Sequence, residues 1–510
     1  MLMMITTVTT CSLHGLEGNK IIVETDLSNG LPIFQIVGLP DASIKESKDR
    51  VRAALVNSGF QFPLSRITVN LSPASVKKEG SQLDLPIALG ILSSIGEIPL
   101  LNNEKTCILG ELSLDGHIQG INGILPMVVA MRKLDYKDFF IPEDNLKECA
   151  YIQDVNIYGF QSLKEIVEHI NGRQVLNPVM PADFVSQEQK SHLCFSDVKG
   201  QEVFKRVMEI GAAGFHNILM IGSPGTGKTM VAKRMPSILP ELTFEEALEI
   251  TNIYSVAGLN KEHDLIRVRP FRSPHHTTSQ VALIGGGRIP MPGEVSLAHH
   301  GVLFLDELPE FSKNALEVLR QPMEDGVVTI SRAYGTLKYP SKFMLVASMN
   351  PCPCGFYGDP RKSCQCSVHQ IQQYLNKVSG PLLDRIDMQI EASPISYEEL
   401  HETHSSETSV TIRQRVNQAR EIQKSRYLSM GMTANSHLLP GQLKKYCKMT
   451  LEAEQLLKEA YKKMALSLRA YHKVIKVART IADLEGKDKI SQKHVGEAIQ
   501  YRGISKKYWG

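Results

Sequence analysis

Residues 222–229 restrict the fold of this chain more than any other segment, because they read Gly-Ser-Pro-Gly-Thr-Gly-Lys-Thr. An apolar run, Ile218–Ile221, precedes them, and a helical pattern, Thr229–Ser237, follows them. Closely spaced glycines let backbone N–H groups approach a phosphate, a lysine reaches the terminal phosphates, and a threonine hydroxyl can ligate Mg²⁺. The strand–loop–helix context therefore predicts a phosphate-binding loop beside a parallel α/β sheet, rather than an ordinary glycine-rich turn.

The predicted cofactors are ATP and Mg²⁺, held by this loop and by a second, acidic strand. The loop residues that we expect to bind the nucleotide are Gly222, Ser223, Pro224, Gly225, Thr226, Gly227, Lys228 and Thr229. The apolar run Val302–Leu305 ends in Asp306 and Glu307, at the edge of a parallel sheet where ligands bind. We expect Asp306 and Thr229 to hold Mg²⁺ and Glu307 to orient and deprotonate the attacking water.

Three further polar residues are candidates for the same site. Asn350 ends the apolar run Phe343–Met349, where it could position water or simply form a turn before Pro351. Arg385 and Arg469 are candidates for stabilising charge on the γ-phosphate, although a lone arginine is more often part of a surface ion pair. The residues alone leave both alternatives open.

The length of 510 residues predicts two to four domains. Changes in pattern divide the chain into an α/β domain at 1–170, a linker at 171–192, an ATPase core at 193–391 and a mostly helical region at 392–510. The hydrophobic fraction of 42% is ordinary for globular proteins, and neither a secretion signal nor a membrane-spanning run is evident, so we expect a cytoplasmic protein without a membrane partner.

Two features suggest further binding. Cys352, Cys354, Cys364 and Cys366 form a C-x-C…C-x-C pattern that predicts a Zn²⁺ site, with free thiols as the alternative and His369 as a substitute ligand. Residues 441–510 hold 16 Lys and Arg against 7 Asp and Glu, which indicates either a polyanion partner or a solvated helical face.

Residues 324–342 predict a β-hairpin, with its turn near Tyr334 and Gly335. Arg332 and Lys338 could contact DNA phosphates and Tyr334 could stack on a base, whereas an ordinary edge hairpin would only expose these side chains to solvent. The segment 270–300 contains two His-His pairs, at 275–276 and 299–300. Adjacent residues point apart on a strand, so we expect a loop that contacts DNA or signals the ATP state rather than a metal site.

Several long segments resemble the YifB/ComM family of magnesium-chelatase-like AAA+ proteins. The segments that carry this resemblance lie at 29–55, 67–92, 109–126, 269–287, 292–311, 350–355, 379–387 and 476–486. The resemblance implies an α/β multidomain protein with a Lon-protease/ribosomal-S5-like N-terminal domain, an AAA+ P-loop core of the helix-2-insert class and a C-terminal helical lid. It also implies that Arg385 is the arginine finger for a neighbouring subunit, Arg469 the second sensor and Asn350 the first sensor.

Members of this family are expected to form homo-hexameric rings that act on single-stranded or branched DNA. The resemblance implies an ATP-driven helicase that promotes branch migration during natural transformation and homologous recombination, with recombination proteins as further partners. The main alternative is a chelatase- or chaperone-like ATPase that remodels a protein partner, although no integrin-like region follows in the sequence.

One departure concerns the N-terminal domain. Where Lon proteases carry a catalytic serine and lysine, Gln82 and Leu125 stand in this sequence, and Ser81 is one residue out of register. A serine without its base is a weak nucleophile, so we expect a DNA-facing or assembly module rather than a peptidase.

Overall fold

The computed structural model describes residues 5–78, 80–100, 105–187, 193–287, 290–332, 335–392 and 407–509. Their contacts define two compact units. Unit 1 comprises Met1–Val185 and Phe244–Ile266, and unit 2 comprises Ser186–Thr243 and Arg267–Gly510. Within the described ranges, no helix has both the length and the apolar character needed to cross a bilayer.

Unit 1 is an α/β unit. Its strands are β1 (Thr6–His14), β2 (Glu17–Ser28), β3 (Ile33–Val37), β4 (Arg66–Ser72), β5 (Thr106–Ile108), β6 (Glu111–Leu112), β7 (Ile118–Gln119), β8 (Asp138–Pro142) and β9 (Asn156–Phe160). Its helices are α1 (Ala42–Asn57), α2 (Asp84–Ser94), α3 (Ile124–Lys133), α4 (Leu146–Cys149), α5 (Leu163–Ile170) and α8 (Phe244–Val256).

Two sheets organise unit 1. The first has the order β1-β2-β4-β3, in which only the β3–β4 pair is parallel, and the second is the parallel sheet β5-β8-β9. Residues 107–112 do not form one continuous strand, because β5 pairs with β8 while β6 forms a hairpin with β7. Helix α2 is buried along almost its whole length, which explains why its sequence is apolar on every face.

The segment Phe244–Ile266 leaves the ATPase sequence and packs within unit 1. Helix α8 lies against α3, and the backbone N–H of Gly123 donates a hydrogen bond of 3.0 Å to Ser255 Oγ. Asn260 donates a 3.2 Å hydrogen bond to the buried carboxylate of Glu148. Local sequence patterning places this segment in the region 193–391 and does not reveal this packing.

Unit 2 contains a five-stranded sheet in which every pair is parallel. Its order is β11-β14-β17-β10-β18, with β10 (Ile218–Ile221), β11 (Phe271–Arg272), β14 (Val302–Leu305), β17 (Met344–Met349) and β18 (Met388–Glu391). Two antiparallel pairs lie outside it, β12 (Gly285–Gly286) with β13 (Met291–Pro292) and β15 (Val327–Arg332) with β16 (Gly335–Pro340). Strands β10, β14 and β17 are fully buried, as expected for a sheet covered on both faces.

The helices of unit 2 fall into two groups. The first group is α6 (Glu202–Gly214), α7 (Lys228–Ala232), α9 (Gln280–Ile284), α10 (Glu294–Leu297), α11 (Lys313–Glu317), α12 (Arg320–Asp325), α13 (Val368–Leu375) and α14 (Gly380–Leu383). The C-terminal group is α15 (Ser409–Tyr427), α16 (Pro440–Tyr446), α17 (Leu451–Lys463), α18 (Leu468–Leu484), α19 (Gln492–Gln500) and α20 (Ile504–Trp509).

Helix α7 is shorter than the helix predicted over Thr229–Ser237. It ends at Ala232 and is followed by a 3₁₀ turn, Met235–Ile238. Pro236 lacks a backbone N–H and therefore cannot continue the α-helical hydrogen bonding. The phosphate loop is consequently followed by a single short turn of α-helix before the chain changes direction.

The sheet and the C-terminal helices share one hydrophobic core. Sheet residues Phe304 and Val346 belong to the same buried cluster as Val474 and Ile481 of α18. Helix α18 packs against α6 and α15, and its apolar face carries most of its buried residues. The C-terminal helices therefore fold as part of unit 2 and not as a separate body.

Candidate nucleotide-binding site

The phosphate loop connects the buried strand β10 to the N-terminus of α7. Gly225 and Gly227 have φ values of +79° and +83°, which side chains other than glycine rarely adopt. Lys228 folds back over the loop, and its Nζ donates to the carbonyl oxygens of Gly222 at 2.6 Å and Ser223 at 3.0 Å. The loop thus has the curvature and the cation that a polyphosphate requires.

The ammonium group of Lys228 is held in a partly dehydrated position. Its side chain is 8% exposed. Burial lowers the pKa of Lys228 to about 8, although the carboxylates of Asp306 and Glu307 act in the opposite direction. A bound phosphate would add negative charge next to this ammonium. The pKa of Lys228 should therefore be higher when the loop holds a phosphate than when it does not.

Two oxygen-bearing side chains that could ligate Mg²⁺ meet at the ends of neighbouring elements. Thr229 Oγ1 donates a 2.7 Å hydrogen bond to Asp306 Oδ2. The other carboxylate oxygen of Asp306 accepts hydrogen bonds from the Ser348 hydroxyl and, at 3.1 Å, from the backbone N–H of Glu307. A hydroxyl and a carboxylate are hard ligands of the kind that Mg²⁺ prefers, so these residues fit the metal.

Glu307 follows Asp306 in an unusual backbone conformation. Its φ is +54°, a left-handed value that costs free energy for a non-glycine residue and is concentrated at functional sites. Its side chain is 56% exposed, and Glu307 Oε2 lies 3.6 Å from His276 Nδ1. The carboxylate therefore faces an open position where a water molecule could be activated, with one imidazole beside it.

Asn350 joins the same cluster from the end of β17. Its Oδ1 accepts a 3.3 Å hydrogen bond from Lys228 Nζ. The structure therefore brings together Lys228, Thr229, Asp306, Glu307 and Asn350, which the sequence had predicted from separate motifs. A nucleotide phosphate, Mg²⁺ and water could be held by this group at one time.

Arg385 and Arg469 form a second group, joined by Glu324 of α12. Arg385 donates to one carboxylate oxygen of Glu324, and Arg469 donates to the other at 2.6 Å. These two ion pairs lower the pKa of Glu324 although burial opposes the shift. The Arg385 side chain is 13% exposed and that of Arg469 is 51% exposed. Among the described contacts, both arginines lie on Glu324 and not on the Lys228–Asp306 cluster.

The segment that carries Arg385 is anchored by a buried ion pair. Lys473 donates to Asp387 Oδ1 and to the carbonyl oxygen of Arg385, each at 2.7 Å. Burial would raise the pKa of Asp387, but Lys473 and His216 outweigh burial and bring it to about 2. The position of Arg385 thus depends on helix α18 of the C-terminal group.

The four predicted cysteine ligands lie together directly after Asn350. The sulfur of Cys352 is 3.4 Å from that of Cys354 and 3.7 Å from that of Cys364, and Cys354 and Cys364 are 3.6 Å apart. The sulfur of Cys366 lies within 4.8 Å of the other three. His369 is exposed on α13 and lies outside this cluster of described residues.

The predicted hairpin is present as β15 and β16. Val328, Ile330, Leu337 and Tyr339 are buried on one face, whereas Lys338 is exposed on the other. Arg332 ends β15 in register with Gly335, and Tyr334 lies outside the described residues. The structure therefore places Lys338 where a ligand could reach it.

In unit 1, Gln82 and Leu125, the two positions compared with the protease dyad, are both buried. Leu125 is part of the apolar face of α3, and the Ser81 hydroxyl donates to Glu111. Nearby, the fully buried Asp84 is bonded by Arg50 at 2.7 Å, and burial raises its pKa although Arg50 opposes the shift. These contacts connect α1, α2 and β6.

Three family models match separate parts of the chain and together cover most of it. The model described as magnesium chelatase, subunit ChlI, matches residues 194–400. A model for subunit ChlI of Mg-chelatase matches residues 23–145, and one for its C-terminal part matches residues 406–502.

Individual relatives match over nearly their full lengths. The chain is 42% identical over 494 residues to competence protein ComM of Haemophilus influenzae, covering 96% of each chain. It is 41% identical to the uncharacterized protein YifB of Escherichia coli, again with 96% of each chain covered. This chain belongs to the ComM/YifB family of magnesium-chelatase-like AAA+ proteins. A match to the magnesium-chelatase 67 kDa subunit of Chlorobaculum parvum is weaker, at 26% identity over 31% of this chain and 23% of that subunit.

Membership in this family implies ATPase activity that uses ATP and Mg²⁺. The parallel sheet of unit 2 and its C-terminal helices fit a magnesium-chelatase-like AAA+ protein. The cluster around Lys228 and Asp306 contains an ammonium, a hydroxyl and carboxylates of the kinds that such hydrolysis uses.

Three contributors to the site were not identified from the sequence. Ser348 bonds Asp306, His276 lies beside Glu307, and Glu324 holds Arg385. In the sequence, His276 is recognisable only as part of a His-His pair. Glu324 lies at the edge of the predicted hairpin segment and Ser348 within a predicted strand, so only their three-dimensional neighbours reveal their contacts with the site.

Proposed function

We propose that this chain is an ATP-dependent hexameric DNA motor, a ComM-like helicase that promotes branch migration during natural transformation and homologous recombination. The observation that carries the proposal is the separation of two groups within unit 2. Lys228 and Asp306 belong to one group, whereas Arg385 and Arg469 belong to the other, on Glu324. Arginines that complete a hydrolysis site on an adjacent subunit require a ring.

In the proposed reaction, Lys228 binds the β- and γ-phosphates and Thr229 and Asp306 hold Mg²⁺, which neutralises charge on the phosphates when bound. Glu307 orients the attacking water and accepts its proton, and Asn350 positions that water. The neighbouring subunit's copy of Arg385 then acts as the arginine finger, and Arg469 acts as the second sensor.

The proposed DNA contacts lie on the β15–β16 hairpin, with Arg332 and Lys338 on backbone phosphates and Tyr334 stacked on a base. The exposed position of Lys338 supports this assignment. The substrate is single-stranded or branched DNA.

We assign the remaining parts of the molecule in the same way. Unit 1 would be a Lon-protease/ribosomal-S5-like module that faces DNA or assists assembly, and unit 2 an AAA+ core of the helix-2-insert class with a helical lid. The protein would act in the cytoplasm with recombination proteins. Zn²⁺ is the proposed occupant of the four-cysteine cluster, because its sulfur positions suit a tetrahedral ion.

The motor is tested by measuring ATP hydrolysis, ring formation, strand displacement and branch migration with the purified chain. Lys228→Ala should bind little ATP and move no DNA. Glu307→Gln should bind ATP and form rings while hydrolysing it at least about 100-fold more slowly. If the intact chain hydrolyses ATP but neither binds DNA nor is stimulated by DNA at low salt, the DNA-motor proposal fails.

The hairpin assignment has a separate test. Lys338→Ala should weaken DNA binding and lower the slope of log affinity against log salt by about one. Lys424→Ala removes the same charge from an exposed position on α15, outside the basic C-terminal segment, and is the matched control. Equal losses in the two variants would mean that the hairpin makes no specific contact.

The second candidate is a chelatase- or chaperone-like ATPase that remodels a protein partner. The match to the magnesium-chelatase 67 kDa subunit favours this alternative, but it covers only 31% of the chain. ATPase activity stimulated by a protein partner, with no response to DNA, would favour this alternative.

A further inference from the structure

The cysteine cluster and the phosphate loop are in direct contact. Gly355 lies between Cys354 and the rest of the loop, and a Cβ atom added to Gly355 would lie 2.5 Å from Pro224 Cδ. The Gly355 φ of +84° also disfavours any side chain there. The cysteine loop therefore packs its backbone against the phosphate loop with no room for a side chain between them.

A second contact joins the two loops through side chains. Asp359 lies in the middle of the cysteine loop, its side chain is 1% exposed, and Arg361 donates a 3.2 Å hydrogen bond to its carboxylate. Arg361 first, and then the Ser223 hydroxyl of the phosphate loop, lower the pKa of Asp359. An ionised acceptor makes stronger hydrogen bonds than a neutral one, so Asp359 is suited to fix Ser223.

The cysteine loop has little else to hold it in shape. Residues 351–366 contain no helix or strand, and half of them are exposed. Four thiolates around one Zn²⁺ ion at about 2.3 Å would place sulfur atoms about 3.8 Å apart, close to the observed 3.4, 3.6 and 3.7 Å. Backbone N–H groups of Tyr357 and Cys366 lie 3.3 and 3.5 Å from the sulfurs of Cys352 and Cys364 and help to fix their positions.

We propose that a Zn²⁺ ion held by these four cysteines shapes the loop so that Gly355 and Asp359 brace the phosphate loop, which makes nucleotide affinity depend on the ion. This inference rests on the proposed zinc occupancy. Asp359 is a positioning residue, since it acts on the nucleotide through Ser223. The same ion fixes the start of the loop two residues after Asn350, so it acts on both the phosphate loop and the residue that contacts Lys228.

The test uses the full chain, purified without chelator, and measures zinc content and the affinity for a fluorescent ADP analogue. We expect about one zinc per chain. Cys364→Ser should lose the zinc and weaken nucleotide binding by about 3- to 30-fold. Asp359→Asn should keep the zinc and still weaken binding by about 3- to 10-fold, while Ser363→Ala, at an exposed position in the same loop, should change neither.

The outcomes separate the two proposals. Less than about a tenth of an equivalent of zinc in the folded wild-type chain contradicts the metal site, whatever the nucleotide affinity. The brace is contradicted if Asp359→Asn keeps its zinc and its nucleotide affinity is unchanged, and if removing zinc from the wild-type chain with a chelator also leaves the affinity unchanged. These results leave the metal site standing. Circular dichroism of each variant shows whether a loss of affinity reflects unfolding, and Asp359→Asn tests the brace where Cys364→Ser does not fold.

Discussion

Lys228 illustrates at the residue scale how burial sets the chemistry of the phosphate loop. Its pKa is lowered to about 8 by burial, and the incoming phosphates favour its charged form. Nucleotide affinity should therefore be highest below pH 8 and should fall as the pH rises through that value. Between pH 7 and pH 9 we expect about a tenfold loss, measured with a fluorescent ATP analogue in the presence of Mg²⁺.

The γ-phosphate is fully ionised over most of this range, so its own titration does not produce the loss. Lys228→Arg, if it binds, should show little pH dependence because a guanidinium stays charged. Calorimetry in buffers of different ionisation enthalpy should also show proton uptake on binding at pH 9. A flat affinity between pH 7 and pH 9 would contradict the assigned shift.

His276 gives a second residue-scale prediction. Its imidazole lies 3.6 Å from the Glu307 carboxylate, which sits on a strained backbone. We expect His276→Ala to lower kcat for ATP hydrolysis by about 3- to 10-fold with little change in KM, because the carboxylate loses a group that orients it.

His275→Ala is the matched control for this prediction. The two rings are neighbours, with centroids 4.1 Å apart, but His275 Nδ1 faces Thr277 Oγ1 at 2.9 Å. Its removal should change kcat by less than about twofold. Equal effects of the two substitutions would mean that His276 acts only through packing of the loop.

At the scale of elements, the segment Phe244–Ile266 depends on a buried polar cluster in unit 1. The side-chain amide of Asn145 accepts a hydrogen bond from the backbone N–H of Ile121 and donates one to its carbonyl oxygen. The same amide donates to Glu148 at 2.7 Å, and its nitrogen lies 3.2 Å from His263 Nδ1. Burial raises the pKa of Glu148 although these neighbours oppose the shift. One asparagine therefore connects α4, the loop at residue 121 and the inserted segment.

We expect Asn145→Ala to destabilise unit 1 by about 2–4 kcal/mol, since it leaves several buried polar atoms without partners. In urea unfolding of the full chain, the transition of unit 1 should have its midpoint at a lower urea concentration than in the wild-type chain. The transition of unit 2, which is recognised because added ATP raises its midpoint, should keep its wild-type midpoint. Asn156→Ala, which removes one exposed hydrogen bond to Asp138, should cost less than about 0.5 kcal/mol.

Helix α12 is the second element with a role that its sequence does not reveal. Glu324 lies near its end, and β15 begins two residues after Asp325. Because α12 and β15 are also in contact, a short path of contacts joins Arg385 and Arg469 to the start of the hairpin. This connection suits a motor in which nucleotide state moves the proposed DNA contacts.

At the scale of the whole molecule, the separate positions of the two charged groups predict that neighbouring subunits share each site. Lys228→Ala and Arg385→Ala should each lower ATP hydrolysis by at least about 100-fold. In an equimolar mixture, about a quarter of the interfaces in a random ring combine an intact phosphate loop with an intact arginine, so activity should return in part.

The control mixture combines the Lys228→Ala variant with a double variant that carries both Lys228→Ala and Arg385→Ala. The double variant takes the place of the Arg385→Ala variant. It supplies no intact phosphate loop and should restore nothing. Hydrolysis that fails to recover in the first mixture, with mixed rings shown by mass spectrometry, would mean that Arg385 acts within its own subunit.

Local sequence patterns identified the phosphate loop, the acidic strand and the hairpin, because each depends on residues that are close in the chain. The predicted helix after Thr229 was too long because Pro236, itself a local signal, ends it. Local patterns also do not reveal strand partners: residues 107–112 are divided between two strands because β5 pairs with β8 and β6 pairs with β7.

The sequence by itself determined the chemistry of the site: a loop with Lys228, an apolar strand ending in Asp306, and four closely spaced cysteines. Glycine spacing and strand burial act locally and can be read from neighbouring residues. Only the tertiary structure decided which groups meet. It placed Ser348 on Asp306, Glu324 on Arg385 and the cysteine loop on the phosphate loop, because hydrogen bonds and ion pairs between distant segments depend on how strands and helices pack and not on residue order.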